Sequence, residues 1–125
     1  MVSSKERRER RKHKRFQVPK STFAGLGPYF GKVGPIIDLS MSGLAFRYVG
    51  SAESNGESYL DMFLADKDFS LREVRFKPIW DSKMVNETPL SSVTMRLQGV
   101  QFKKLTRYQR SQLEYFIQNH TTGEA

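Results

Sequence analysis

Residues 69–81, FSLREVRFKPIWD, decide the fold class. In this stretch Val74, Phe76 and Trp80 fall on one parity, and Glu73, Arg75, Lys77 and Asp81 on the other. Strand side chains alternate between faces, so the pattern predicts a strand with one side in a core and one in water. Similar short stretches occur at residues 33–40 (VGPIIDLS), 44–49 (LAFRYV), 58–65 (SYLDMFLA) and 93–102 (VTMRLQGVQF). Gly, Pro, Asn and Asp punctuate them, as expected between strands. In the last stretch the apolar parity changes at Gly99, with Met95 and Leu97 before it and Val100 and Phe102 after it. A bulge at Gly99 would produce that change. Many short strands of this kind predict an antiparallel barrel or sandwich.

The chain closes on a helical pattern. Thr106 and Gln109 have the spacing of a capping box, and Leu113, Phe116 and Ile117 form an apolar stripe at i, i+3, i+4. This helix is expected to lie across the barrel, with the tail from about Asn119 fraying. Phe23, Tyr29, Phe30 and Phe46 read as packing residues, and Trp80 as core or barrel rim. Glu57, Asp61, Asp66 and Asp68 read as surface acids. The predicted organisation is a flexible basic arm over 1–15, a barrel with its helix over 16–119, and a tail over 120–125.

Composition narrows the function. The 125 residues suit one domain, and 38% hydrophobic residues can build a core. There is no cysteine, which excludes disulfides and thiolate chemistry and fits a reducing compartment. No apolar run approaches the roughly 18 residues of a membrane span, and no apolar segment follows the basic start as in a secretory signal. The expected location is the cytoplasm. Residues 1–20 hold nine Lys/Arg and two acids, so this stretch carries +7 of the net +8. With almost no apolar residue, the arm has nothing to bury. It is suited to phosphate, an acidic partner or an anionic surface.

Two constellations carry chemistry. Arg11-Lys12-His13-Lys14-Arg15, preceded by Arg10, places arginines four apart. An arginine fork can hold two phosphate oxygens, or guanine O6 and N7, at once. A run this basic is equally consistent with a solvated charge run or a general polyanion arm. Asp38-Leu39-Ser40-Met41-Ser42-Gly43 places Asp38 and Ser40 on one strand face. Gly43 leaves a gap where the chain turns. Asp and Ser also serve ordinary turn chemistry. No histidine stands at a spacing that would make Ser40 part of a hydrolase triad. His13 and His120 are too far apart in sequence to suggest a metal pair, so neither a metal nor catalysis is expected.

Together the constellations resemble the PilZ domain family of bacterial cyclic di-GMP receptors. RKHKR resembles that family's Arg-x-x-x-Arg motif. DLSMSG, continuing into Leu44-Ala45-Phe46, is similar to its Asp/Asn-x-Ser-x-x-Gly motif, and VQFKKLTRYQRSQLEYFI to its closing strand and helix. The resemblance spans about residues 8–118 and implies a six-stranded antiparallel barrel with a C-terminal helix. It implies cyclic di-GMP as ligand, Arg11 and Arg15 on guanine and phosphate, Asp38 and Ser40 at the guanine edge, and Gly43 leaving room. Arg10 would clamp a second nucleotide of an intercalated pair. The arm would order on binding and signal to a downstream protein partner. No second domain is evident, so that partner, the process controlled and the oligomeric state stay open. The alternative ligand for a small barrel with a basic arm is a single-stranded nucleic acid.

Overall fold

The computed structural model describes residues 13–53, 56–84 and 94–125. Its strands are β1 (Phe16–Gln17), β2 (Thr22–Gly27), β3 (Lys32–Leu39), β4 (Gly43–Val49), β5 (Tyr59–Leu64), β6 (Phe69–Val74), β7 (Phe76–Lys83), β8 (Met95–Phe102) and β9 (Gly123–Glu124), with one helix, α1 (Arg107–His120), before β9. The main path is antiparallel in the order β6-β5-β2-β3-β4-β8-β7. Its two ends, β6 and β7, are separated in sequence only by Arg75. One bent strand therefore pairs first with β5 and then with β8, which curls the sheet. Counted this way the path has the six long strands expected, with β1 and β9 as short additions. β2 was not among the anticipated strands. Its TFAGLG is small and lacks alternation, yet it lies between β3 and β5.

Inside the curl, Leu26, Leu39, Phe46, Leu60, Met62 and Leu71 are fully buried. Leu113 and Phe116 of α1 complete the core. The capping box is formed: Gln109 N donates to Thr106 Oγ1 and Thr106 N donates to Gln109 Oε1, both at 3.0 Å. The Gln109 amide also donates to the Arg72 and Glu73 carbonyls, tying the helix start to β6.

Several expectations are corrected. Val74 is buried and Phe76 packs against the core, but Trp80 is 44% exposed. The register of β7 on β8 shifts between Pro78 and Trp80, leaving Ile79 as an extra residue that reverses the parity beyond it. The bulge is therefore in β7, not at Gly99: β8 runs along β4 without interruption. Parity in β8 does not change either. Arg96 and Gln98 occupy inward positions with Val100 and Phe102, so polar residues hide the pattern. The tail does not fray; Gly123 and Glu124 pair with Gln17 and Phe16. Phe46 packs as expected and Phe30, though partly exposed, packs edge-on against Tyr59, but Tyr29 is 79% exposed. Glu57 is not a surface acid; its nearly buried side chain lies 3.3 Å from Lys32 Nζ.

The inward polar residues form a cluster. The Tyr48 hydroxyl donates to Asp81 Oδ2, and Arg96 Nε donates to Asp81 Oδ1 at 2.6 Å. Burial, reinforced by the Asp81 carboxylate, pushes the Tyr48 phenol up to about 12 from its usual 10.0. A raised pKa means that the fold favours the neutral phenol. Its contribution to stability is complete below pH 10 and is lost as pH rises toward 12. The midpoint of thermal unfolding should therefore fall more steeply across that interval for the native protein than for Tyr48→Phe, as followed by circular dichroism. Parallel curves would contradict the assignment.

Candidate functional site

A second bulge matters as much as the one at Ile79. The register of β3 on β4 shifts between Ile36 and Asp38, so Ile37 is the extra residue. In an uninterrupted strand Ile36 and Asp38 would share a face. With the bulge, Ile36 and Leu39 are both buried, and Asp38 turns to the outer surface. The two bulges thus aim Asp38 and Trp80 the same way.

Strand pairing brings these residues into one row. Asp38 pairs with Ala45, Ala45 with Gly99, and Gly99 with Trp80. Asp38 and Trp80 stand three strand spacings apart, roughly 14 Å. Between them lie two of the smallest side chains, so the outer face dips. The Trp80 indole lies down over Gly99, where an added Cβ would meet its Nε1 and Cε2 atoms. The resulting cavity is about 420 Å³ and is lined by Arg15, Asp38, Ser40, Gly43, Trp80 and Gln101, among others. Arg15 reaches it because β1 pairs beside β3, with Phe16 opposite Leu39.

Four of the six residues singled out by sequence therefore line one cavity: Arg15, Asp38, Ser40 and Gly43. Arg10 and Arg11 lie outside the described residues. Among the described residues, no ion pair ends on Asp38 or Arg15. Both charges are free to meet a ligand. Ser40 is more committed. Its N–H donates to the Gly43 carbonyl at 2.8 Å, its Oγ lies 3.1 Å from Ser42 Oγ, and it accepts from Ser42 N–H at 3.1 Å. The hydroxyl holds the turn while lining the cavity.

Gly43 serves a purpose other than an unusual turn conformation. A Cβ there would run into the backbone carbonyl of Val100, so the glycine allows β4 and β8 to approach. Trp80, Ser42 and His13 line the cavity and were missed or set aside. Ser42 shares the parity of Ser40 and was legible on that ground. Trp80 was not, because the extra residue at Ile79 reverses its side. Among the described residues no group of three or more His, Cys, Asp or Glu could hold a metal, and no helix is long and apolar enough to cross a membrane.

The PilZ domain family model matches residues 7–119. No curated protein matches the sequence. The PilZ domain of YcgR from Escherichia coli, solved with c-di-GMP, is similar at 13% identity and TM-score 0.63, over 89% of this chain and 91% of that one. YcgR from Escherichia coli in complex with c-di-GMP aligns at 15% identity and TM-score 0.61, over 86% of this chain and 44% of that one. MrkH, described as a c-di-GMP-dependent transcription regulatory factor, aligns at 13% identity and TM-score 0.64, over 87% of this chain and 50% of that one. At these identities the likeness is one of fold. The chain spans half or less of the YcgR complex chain and of MrkH.

The packing at Gly43 gives a direct test. Gly43→Ala must separate β4 from β8 or distort both, at a cost of about 1–3 kcal/mol. Chemical denaturation should show that loss, whereas Ser42→Ala should stay within about 1 kcal/mol of the native protein. Equal stabilities for Gly43→Ala and the native chain would refute the close approach.

Proposed function

The chain belongs to the PilZ domain family, and on that premise we propose that it is a non-catalytic receptor for cyclic di-GMP, bound in the trough between Asp38 and Trp80. The observation that carries this reading is the single row Asp38, Ala45, Gly99, Trp80, with Arg15 at its edge. It combines an anionic acceptor, a shallow floor, a flat aromatic wall and a guanidinium fork. A guanine offers the complementary set. Its N1–H and N2–H₂ donate to a carboxylate such as Asp38, and its face stacks on an indole. Its O6 and N7, or a neighbouring phosphate, accept from arginine.

In this reading Arg11 joins Arg15 on guanine and phosphate, and Arg10 clamps a second nucleotide of an intercalated pair. Ser40 supports the guanine edge from the turn, and Gly43 keeps the strands close beneath it. The arm closes over the nucleotide and becomes the surface that a downstream protein reads. The cytoplasm, where a nucleotide second messenger is made and degraded, is the expected place of action. The similar YcgR structures, in complex with c-di-GMP, and MrkH, a c-di-GMP-dependent transcription regulatory factor, support the ligand choice.

Calorimetric titration tests the reading. Cyclic di-GMP should bind near 1 μM or tighter, a free energy of about −8 kcal/mol or more. Cyclic di-AMP and a short oligonucleotide should bind more weakly. Arg15→Lys and Asp38→Ala should each weaken binding about tenfold or more, because lysine lacks the planar fork and alanine the acceptor. Oligonucleotide preference with a steep salt dependence would instead identify a single-stranded nucleic-acid binder. Absence of heat with cyclic di-GMP at high concentration would end the receptor reading.

A further inference from the structure

We propose that the C-terminal strand β9 positions Arg15, so that docking of β9 and binding of the nucleotide strengthen one another. The proposal rests on the receptor reading for its ligand, but its structural half stands on the geometry of β1. That strand is two residues long, and only one of them, Phe16, pairs with β3. A pairing this short holds little by itself. Its other side is covered by β9, with Phe16 opposite Glu124 and Gln17 opposite Gly123. Thr122 N–H donates to the Gln17 carbonyl, and Ala125 N–H donates to the carbonyl of Arg15 itself, both at 2.9 Å. Lys14 Nζ also lies 3.1 Å from Glu124 Oε1, but both side chains are well exposed and that pair adds little.

β9 in turn is placed by the helix. Leu113 and Phe116 anchor α1 in the core, and Thr121 Oγ1 donates back to the Ile117 carbonyl at 2.6 Å at the point where the chain leaves α1. Support therefore runs from the core through α1 to β9, and from β9 to the backbone of Arg15. The Arg15 side chain then lines the trough. Without β9, the strand pairing left beside it among the described residues is Phe16 with Leu39, and binding must bear the cost of fixing it. Linkage makes the effect reciprocal. A bound nucleotide that grips Arg15 holds β9 down, and any agent that peels β9 away loosens the nucleotide.

Thr122→Pro with Ala125→Pro tests this in the full chain. Both substitutions remove the N–H donors, and the preceding residues, Thr121 and Glu124, have extended backbones compatible with proline. The first readout needs no nucleotide. Trypsin should cut the Arg15–Phe16 bond about tenfold faster in the variant, as expected when local opening controls cleavage. The second is calorimetric: affinity for cyclic di-GMP should fall about tenfold, measured where the ligand-free variant is still fully folded by circular dichroism. The third is hydrogen exchange in the native protein, where saturating cyclic di-GMP should slow the Thr122 and Ala125 amides. Unchanged cleavage at Arg15–Phe16, or unchanged or tighter binding, would each overturn the proposal. If the native protein does not bind the nucleotide, the receptor reading falls, and the trypsin rate still decides whether β9 holds Arg15.

Discussion

Two of the three extra residues in the strand ladder, Ile37 and Ile79, determine what the outer face of this barrel can do. Each bulge reverses side-chain parity for the residues that follow. Without the first, Asp38 would share the face of Ile36 and be driven toward the core. Without the second, Trp80 would point inward and Asp81 outward. A core position would strand the Asp38 charge, and an outward Asp81 could not serve Tyr48 and Arg96. The half-buried polar cluster and the surface trough are thus set by the same two insertions, while the bulge in β6 lets Leu71 and Val74 both face the core.

The trough also needs something between its walls to be absent. Ala45 supplies that absence on β4, Gly99 on β8 makes room for the Trp80 indole itself, and Gly43 lets those strands approach. The walls rest on a firm base. Asp81, next to Trp80 in the chain, accepts hydrogen bonds from Tyr48 and Arg96, which fixes β7 just beyond its bulge. A site of this kind is largely pre-formed on the sheet. Among the described residues, only Arg15 and His13 reach it from outside the sheet's main path, next to β1.

Much of this was legible in residues 38–43 and 106–117. The Asp-x-Ser-x-x-Gly run and the capping box are local patterns whose chemistry depends on near neighbours, and both stand where spacing placed them. What escaped depends on distant partners or on a count of one. The pair Ile36-Ile37 gives no sign that one side chain is buried and the other exposed. The alternation in residues 69–81 identifies a strand, but nothing in Pro78-Ile79-Trp80 marks Ile79 as extra. Trp80 meets Asp38 only through pairing across β4 and β8. Lys32 and Glu57 look like ordinary surface charges until the fold brings them together. The tail, Thr121-Thr122-Gly123-Glu124-Ala125, has no apolar signal because backbone hydrogen bonds hold it.

A nuclear magnetic resonance titration of the isotopically labelled protein with cyclic di-GMP reports directly which face of the sheet takes the nucleotide. Binding in the trough should give saturable shifts concentrated at Asp38–Leu44, Ile79–Trp80, Gly99–Gln101 and Arg15, with the Trp80 indole N–H among the largest. Saturable shifts centred instead on the opposite face, around the stacked Phe23 and Phe63, with Asp38 and Trp80 unmoved, would contradict it.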